Sequence, residues 1–170
     1  DRSSGILLHP TSLPGQHGIG DIGPQARRWI DFLAGTGCRA WQVLPLGPTG
    51  FTDSPYQCFA AFAGNPALVS PEELVEEGLL EPADLEGPAF PPGRMDFGAA
   101  LLWKLGLLDR AFARLERSGS PGLRYEFSAF KAASGGWLDD YALFTALKAA
   151  HGGVSWVEWP EPLRARGPGA

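Results

Sequence analysis

Four side chains close together in the chain could do chemistry as a group: Asp53, Ser54, Tyr56 and Gln57. A carboxylate, a hydroxyl and an amide can pair with the hydroxyls of a sugar. A flat ring beside them can pack against the apolar face of a pyranose. They follow an apolar segment, Trp41 to Leu46, through a loop punctuated by Pro45, Gly47, Pro48 and Gly50. A buried strand followed by an ordinary connecting loop would read the same way, and both readings stand at this point.

Other reactive residue types are sparse. The three histidines, His9, His17 and His151, form no nucleophile–base constellation that can be named from one sequence. His9 directly follows the first apolar segment, where it suits either a loop anchor or a substrate contact. Cys38 and Cys58 are the only cysteines and make no CxxC pair. That argues against a disulfide scaffold and a zinc site, predicts two small buried hydrophobes, and suits the cytosol. The stretch Gly18 to Gly23 matches GxGxxG, but nine residues with two prolines separate it from the strand. The second strand also offers Gln42 where a dinucleotide site needs a carboxylate. The glycines are better read as places where the chain passes closely over other backbone. Asp21 and Asp53 both follow strands, as a pair of glycosidic carboxylates would. Asp21 reads as a favourable charge at a helix N-terminus, however, and Asp53 as a turn residue, so no catalytic pair emerges.

Two regions must position these residues. In the first, 1–66, Gly5 to Leu8 reads as a strand and Pro24 to Ala34 as a helix with Ala26, Trp29, Ile30 and Leu33 inward. Trp41 to Leu46 reads as a second strand. Strand, helix and strand in that order predict a right-handed βαβ unit with parallel strands, each apolar enough to be buried on both faces. The second region, 67–170, reads as mainly helical. Ser70 caps a helix that begins with Pro71 and ends at Gly78, its acidic run to Glu81 forming a solvated face. Asp96 caps a helix with an apolar stripe at Leu101, Leu105, Leu108, Phe112 and Leu115, ending near Gly119. A shorter helix covers 124–133. Trp137 to Ala150 is another, with Leu138, Tyr141, Phe144 and Leu147 inward and Gly152-Gly153 as its stop.

Composition narrows the class. The net charge is −5 and the 14 basic residues form no stripe, so a nucleic-acid partner is not expected. No apolar run approaches the roughly 20 residues needed to span a bilayer, so a membrane is not expected either. Gly 23 and Pro 16 would suggest disorder, but 6 Trp, 10 Phe and 3 Tyr indicate a packed fold with shaped loops. Two parallel strands cannot make a stable sheet, and a (β/α)8 barrel needs about 250 residues. The pattern therefore predicts that further strands lie beyond Ala170.

Four stretches resemble the amylomaltases, the 4-α-glucanotransferases of glycoside hydrolase family 77. They are GILLHPTSLPGQHGIGDIG at 5–23, WQVLPLGPTGFTDSPYQCFAAFAGNP at 41–66, WLDDYALFTALKAAHGG at 137–153 and WVEWP at 156–160. The resemblance implies an α/β fold: the opening strands of a (β/α)8 TIM barrel over 1–66, then an inserted helical subdomain over 67–170. It implies transfer of α-1,4-glucan segments between maltooligosaccharides through a covalent glycosyl-enzyme, with no metal or organic cofactor. The partners would be these glucans and the remainder of the same polypeptide's barrel. By the family pattern the nucleophilic Asp, the acid/base Glu and a supporting Asp come after this length, so the chain alone would be inactive. Tyr56 matches a family tyrosine that packs against the sugar beside the scissile bond, and Ser54 a glucan-contacting position. Phe51 matches a position of a second glucan-binding groove that is tyrosine in some similar enzymes; here stacking stays available while a hydroxyl is lost. Two alternatives come from other classes: a non-catalytic glycan-binding module, and a structural βα and helical piece without activity.

Overall fold

The computed structural model describes residues 2–50, 53–91 and 94–167. Its elements in chain order are β1 (Gly5–Leu7), α1 (Pro24–Gly35), β2 (Ala40–Gln42), α2 (Pro71–Glu76), α3 (Phe97–Ser118), α4 (Pro121–Ala133), α5 (Leu138–Ala150) and α6 (Glu161–Arg164), with short 3-10 turns between them. The chain packs as two compact units, 1–126 and 127–170.

β1 and β2 pair in parallel, Gly5 opposite Ala40, Ile6 opposite Trp41 and Leu7 opposite Gln42. The Trp41 indole N–H donates to the Leu8 carbonyl at 2.7 Å and locks that register. The parallel βαβ expectation is met, but two details are corrected. β2 ends at Gln42, well before Leu46. Pro45 has no N–H to give to a ladder, and the Leu46 carbonyl accepts instead from the Asn65 N–H at 3.1 Å. The strands are also not buried on both faces: Leu7 is 54% exposed. A two-strand ladder has two open edges and little to cover its faces.

The helix ends follow local chemistry. Ser70 Oγ accepts from the Glu73 N–H. Gly78, at φ 73, lets the chain turn back so that Leu79 donates to Leu74 and Gly78 to Val75, a Schellman closure of α2. Asp96 Oδ1 accepts from the Ala99 N–H at 3.1 Å and starts α3.

α3 buries the predicted stripe only in part: Leu101 and Leu115 pack against the core from its margin. Ala100, Lys104, Leu107 and Ala111 face inward, while Leu105 and Phe112 are 40% and 45% exposed. Ala100 packs with Ile19 and Ala67, and Leu107 and Ala111 with Leu79 and Leu80. The small alanines let the helix approach the chain segments beneath it, which turns the leucine row aside. In α1 the inward residues are Ala26 and Leu33, and Ile30 is exposed. Two of the three glycines of the GxGxxG stretch show the close passage: the Phe90 ring lies against Gly18, and a Cβ at Gly20 would meet the Leu13 nitrogen at 2.8 Å.

The second unit carries α5, α6 and the turn between them. Leu138, Tyr141, Phe144 and Leu147 lie on its half-buried side. Trp159, 6% exposed, packs beside Phe144 and His151. Gly152 and Gly153, both at positive φ, end α5. Among the described residues there is no strand after β2, and no helix is long and apolar enough to cross a membrane.

Candidate functional site

The loop that follows β2 is tied off at its base. The Asn65 N–H to Leu46 carbonyl bond joins its two ends, and an antiparallel bridge between Thr49 and Cys58 joins its middle. Gly47 lies so close to the Cys58 thiol that no side chain fits there, and a Cβ at Gly50 would stand 2.8 Å from the Gln57 carbonyl. At the tip Asp53 takes the left-handed conformation, φ 53, and its N–H donates to the Gly50 carbonyl at 3.3 Å. The Gln57 N–H donates to the Ser54 carbonyl at 3.0 Å, and the Tyr56 N–H to Ser54 Oγ at 3.4 Å. The Ser54 hydroxyl thus braces the turn that holds up Tyr56.

This construction brings Asp53, Ser54, Tyr56 and Gln57 onto one loop tip. Tyr56 is 72% exposed, and Phe59 and Phe62 beside it are 49% and 76% exposed. Asp53 borders a cavity of about 580 Å3 with Arg94, Met95, Asp96 and Phe97. Phe51 lies outside the described residues. An exposed ring among hydrogen-bonding groups on a braced turn can take up the face and hydroxyls of a sugar.

The other candidates have structural work. His9 Nδ1 lies 2.7 Å from Thr11 Oγ1, and Nε2 lies 3.4 Å from the Pro45 carbonyl, so the ring joins the ends of the two strand segments as an anchor. Cys38 is half-buried and Cys58 exposed, which corrects the expectation that both are buried; the Cys58 thiol donates to the Ala60 carbonyl at 2.7 Å. The acidic run is not simply solvated. Glu72 pairs with His17 at 2.9 Å, Glu73 with Arg27, and Glu81 with Arg114.

Asp21 is not a helix-end charge. Its carboxylate accepts from Lys104 Nζ at 2.7 Å, and Lys104 is only 2% exposed. The same ammonium donates to the carbonyls of Ala67 and Val69 at 2.9 and 3.0 Å. Burial pushes the Asp21 carboxyl up and the Lys104 ammonium down, each partner's charge resisting the other's shift. Little in the sequence points to this pair, whose members lie 83 residues apart. The one available signal was a lysine in register with Ala100, Leu107 and Ala111.

Two carboxylates give a pH dependence. Burial works against the charge of Glu72, but its own N–H, the Ser70 hydroxyl and His17 outweigh it and hold the carboxyl below the usual range. The Glu81 N–H, and behind it Arg114, hold Asp84 low as well. A native pKa below the unfolded one adds stability that is complete above the unfolded carboxylate range, about pH 4 to 5. That stability is lost as pH falls through the native value. Urea melts of the parent and of a Glu72→Gln/Asp84→Asn variant should therefore differ at pH 7 and converge towards pH 3. A constant difference would contradict the assignment.

The glycoside hydrolase 77 family model, described as 4-alpha-glucanotransferase, matches residues 8–170. The 4-alpha-glucanotransferase of Thermus thermophilus is 53% identical over 165 residues, covering 97% of this chain and 32% of that protein. The chloroplastic/amyloplastic 4-alpha-glucanotransferase of Solanum tuberosum is 42% identical, with 97% and 29% covered. The solved amylomaltase from Streptococcus agalactiae in complex with acarbose superposes with a TM-score of 0.86 at 34% identity, over 95% of this chain and 32% of that one. The chain spans about a third of the length of these relatives. With nearly its whole length matched by the family model, the chain belongs to the 4-alpha-glucanotransferase family, glycoside hydrolase 77.

Proposed function

We propose that this chain is the N-terminal part of a glucanotransferase that moves α-1,4-glucan segments between maltooligosaccharides. β1 and β2 are read as the opening strands of a (β/α)8 barrel within 1–66, and 67–170 as a helical subdomain inserted among the strands. The loop that grips the sugar then sits at the carboxyl end of a barrel strand, where barrel enzymes build their sites. The observation that carries the reading is Tyr56: an exposed ring on a turn braced by Ser54, on the loop that follows the second strand.

In this reading Tyr56 forms one wall of the subsite for the sugar undergoing transfer, and Asp53, Ser54 and Gln57 hold the loop or the sugar hydroxyls. Phe51 contributes a stacking face to a second glucan groove. The bond-breaking residues lie beyond Ala170. There a retaining double displacement needs a nucleophilic carboxylate and an acid/base carboxyl about 5 Å apart. The first opens the glycosidic bond and holds the glycosyl group, and the second protonates the leaving oxygen and then deprotonates the incoming sugar hydroxyl. The chain's own contribution is to hold the ring of the donor sugar so that this exchange is in line, which requires no metal or organic cofactor. The two unpaired thiols support a reducing compartment, which we assign as the cytoplasm. The test is to express the complete reading frame containing this chain and supply maltotriose alone. Glucose together with longer maltodextrins is the expected product pattern. Simple hydrolysis to glucose and maltose, or no turnover by a folded protein, would overturn the assignment.

A further inference from the structure

The sugar-binding loop begins near Leu46, past the end of β2, and returns at Asn65, so its position depends on what holds the short turn that follows. That turn, Pro66–Leu68, is among the best buried parts of the chain: Asn65 is 6%, Ala67 2% and Leu68 5% exposed. Asn65 caps it through its side-chain oxygen, which accepts from the Ala67 N–H at 2.9 Å. From one side the Ile22 N–H donates to the Leu68 carbonyl at 3.0 Å. From the other, Lys104 reaches out of α3 and gives all three of its protons away, to Ala67 O, Val69 O and Asp21 Oδ2.

A lysine is an expensive way to fill a core. Apolar residues of similar volume often serve stability as well as a buried ion pair does, or better. What an apolar side chain cannot do is hold two carbonyls of one turn and a carboxylate of another segment at fixed distances. We propose that Lys104 is a positioning residue for the sugar-binding loop. Through the turn at 66–68 it fixes the point to which the loop returns, and through Asp21 it fixes that turn against the segment that follows β1. The hydrogen bonds of Lys104 go to Asp21, Ala67 and Val69, and the loop tip is reached from there. Its effect on the tip runs through Asn65, whose N–H closes the loop base on Leu46.

The consequence for binding rests on the function proposed above. Without the brace, the loop should spend part of its time out of place, and the apparent affinity for sugar should fall with the competent fraction. Once sugar is bound the loop is ordered again, so turnover of the bound complex should change little.

The experiment uses the complete protein with Lys104→Met, and Leu80→Ala as a control. Leu80 packs in the separate cluster with Leu79, Leu107 and Ala111, so this change loosens the core without touching the turn. Both variants should melt earlier than the parent. At a temperature where both remain folded, brief chymotrypsin treatment with mass mapping reads the loop directly, because Tyr56, Phe59 and Phe62 are exposed there. Cleavage between 56 and 62 should speed up in Lys104→Met and not in Leu80→Ala. The KM for maltotriose should rise about fivefold in Lys104→Met with kcat within about twofold, and stay put in Leu80→Ala. Loop cleavage no faster in Lys104→Met than in Leu80→Ala would overturn the proposal and leave Lys104 a core residue. Faster cleavage with an unchanged KM would uphold the brace and overturn instead the placement of sugar on this loop. Should Lys104→Met fail to fold, Asp21→Asn decides. It keeps both carbonyl contacts but replaces the charged tie to the segment after β1 with a weaker neutral one, so its loop should be cut at a rate above the parent's, and a rate equal to the parent's would overturn the proposal.

Discussion

The 170-residue chain prepared alone should transfer no glucan from maltotriose. The two carboxylates that follow its strands are committed or unpaired for this purpose. Asp21 is buried on Lys104, and Asp53 sits exposed on a loop tip beside Arg94, Met95, Asp96 and Phe97. Neither belongs to a pair flanking a bond as retaining chemistry requires. In the proposed reading the chain offers one wall of a binding site, and binding without a nucleophile does not lower the chemical barrier. Removing a catalytic nucleophile from an enzyme costs on the order of a millionfold in kcat, so the chain alone should fall below detection. Chromatography of maltotriose incubated with a preparation of verified mass measures this. Glucose and longer maltodextrins appearing at enzymatic rates would place the catalytic groups within these residues.

In the complete protein, Tyr56→Ala should lower kcat/KM for maltotriose about tenfold or more, since a stacked ring contributes about 1 kcal/mol and more where it holds a distorted sugar. Tyr56→Phe should keep most of the activity, because the ring face does the packing. The exposure of the ring makes the experiment clean. With 72% of Tyr56 in solvent, its loss should change folding stability by no more than about 0.5 kcal/mol. A kinetic defect then reports on substrate rather than on unfolding. Unchanged kinetics in Tyr56→Ala would reduce this residue to a loop anchor.

What the sequence revealed follows from what its signals measure. Caps and stops are local chemistry, and Ser70, Asp96, Gly78 and Gly153 behave as their types predict. The parallel pairing of β1 with β2 was legible because a strand, a helix and a strand in this order leave few alternatives. The inward face of α3 was not legible. Periodicity counts large apolar side chains, whereas beside Leu107 the helix packs through two alanines and a lysine whose partner lies 83 residues away. The end of β2 is not legible in the sequence, because an apolar run is silent about hydrogen bonds and the Leu46 carbonyl accepts from Asn65. For the loop, residue types and spacing showed which side chains would gather, and geometry added their division of labour: Ser54 braces, Tyr56 presents.

The most direct test of the account is a crystal structure of the complete protein with an unreactive maltooligosaccharide bound. The Tyr56 ring is expected flat against a pyranose, with carbon atoms about 4 Å apart, in the subsite next to the catalytic carboxylates. A glucan bound across those carboxylates with Tyr56 still in solvent would contradict it.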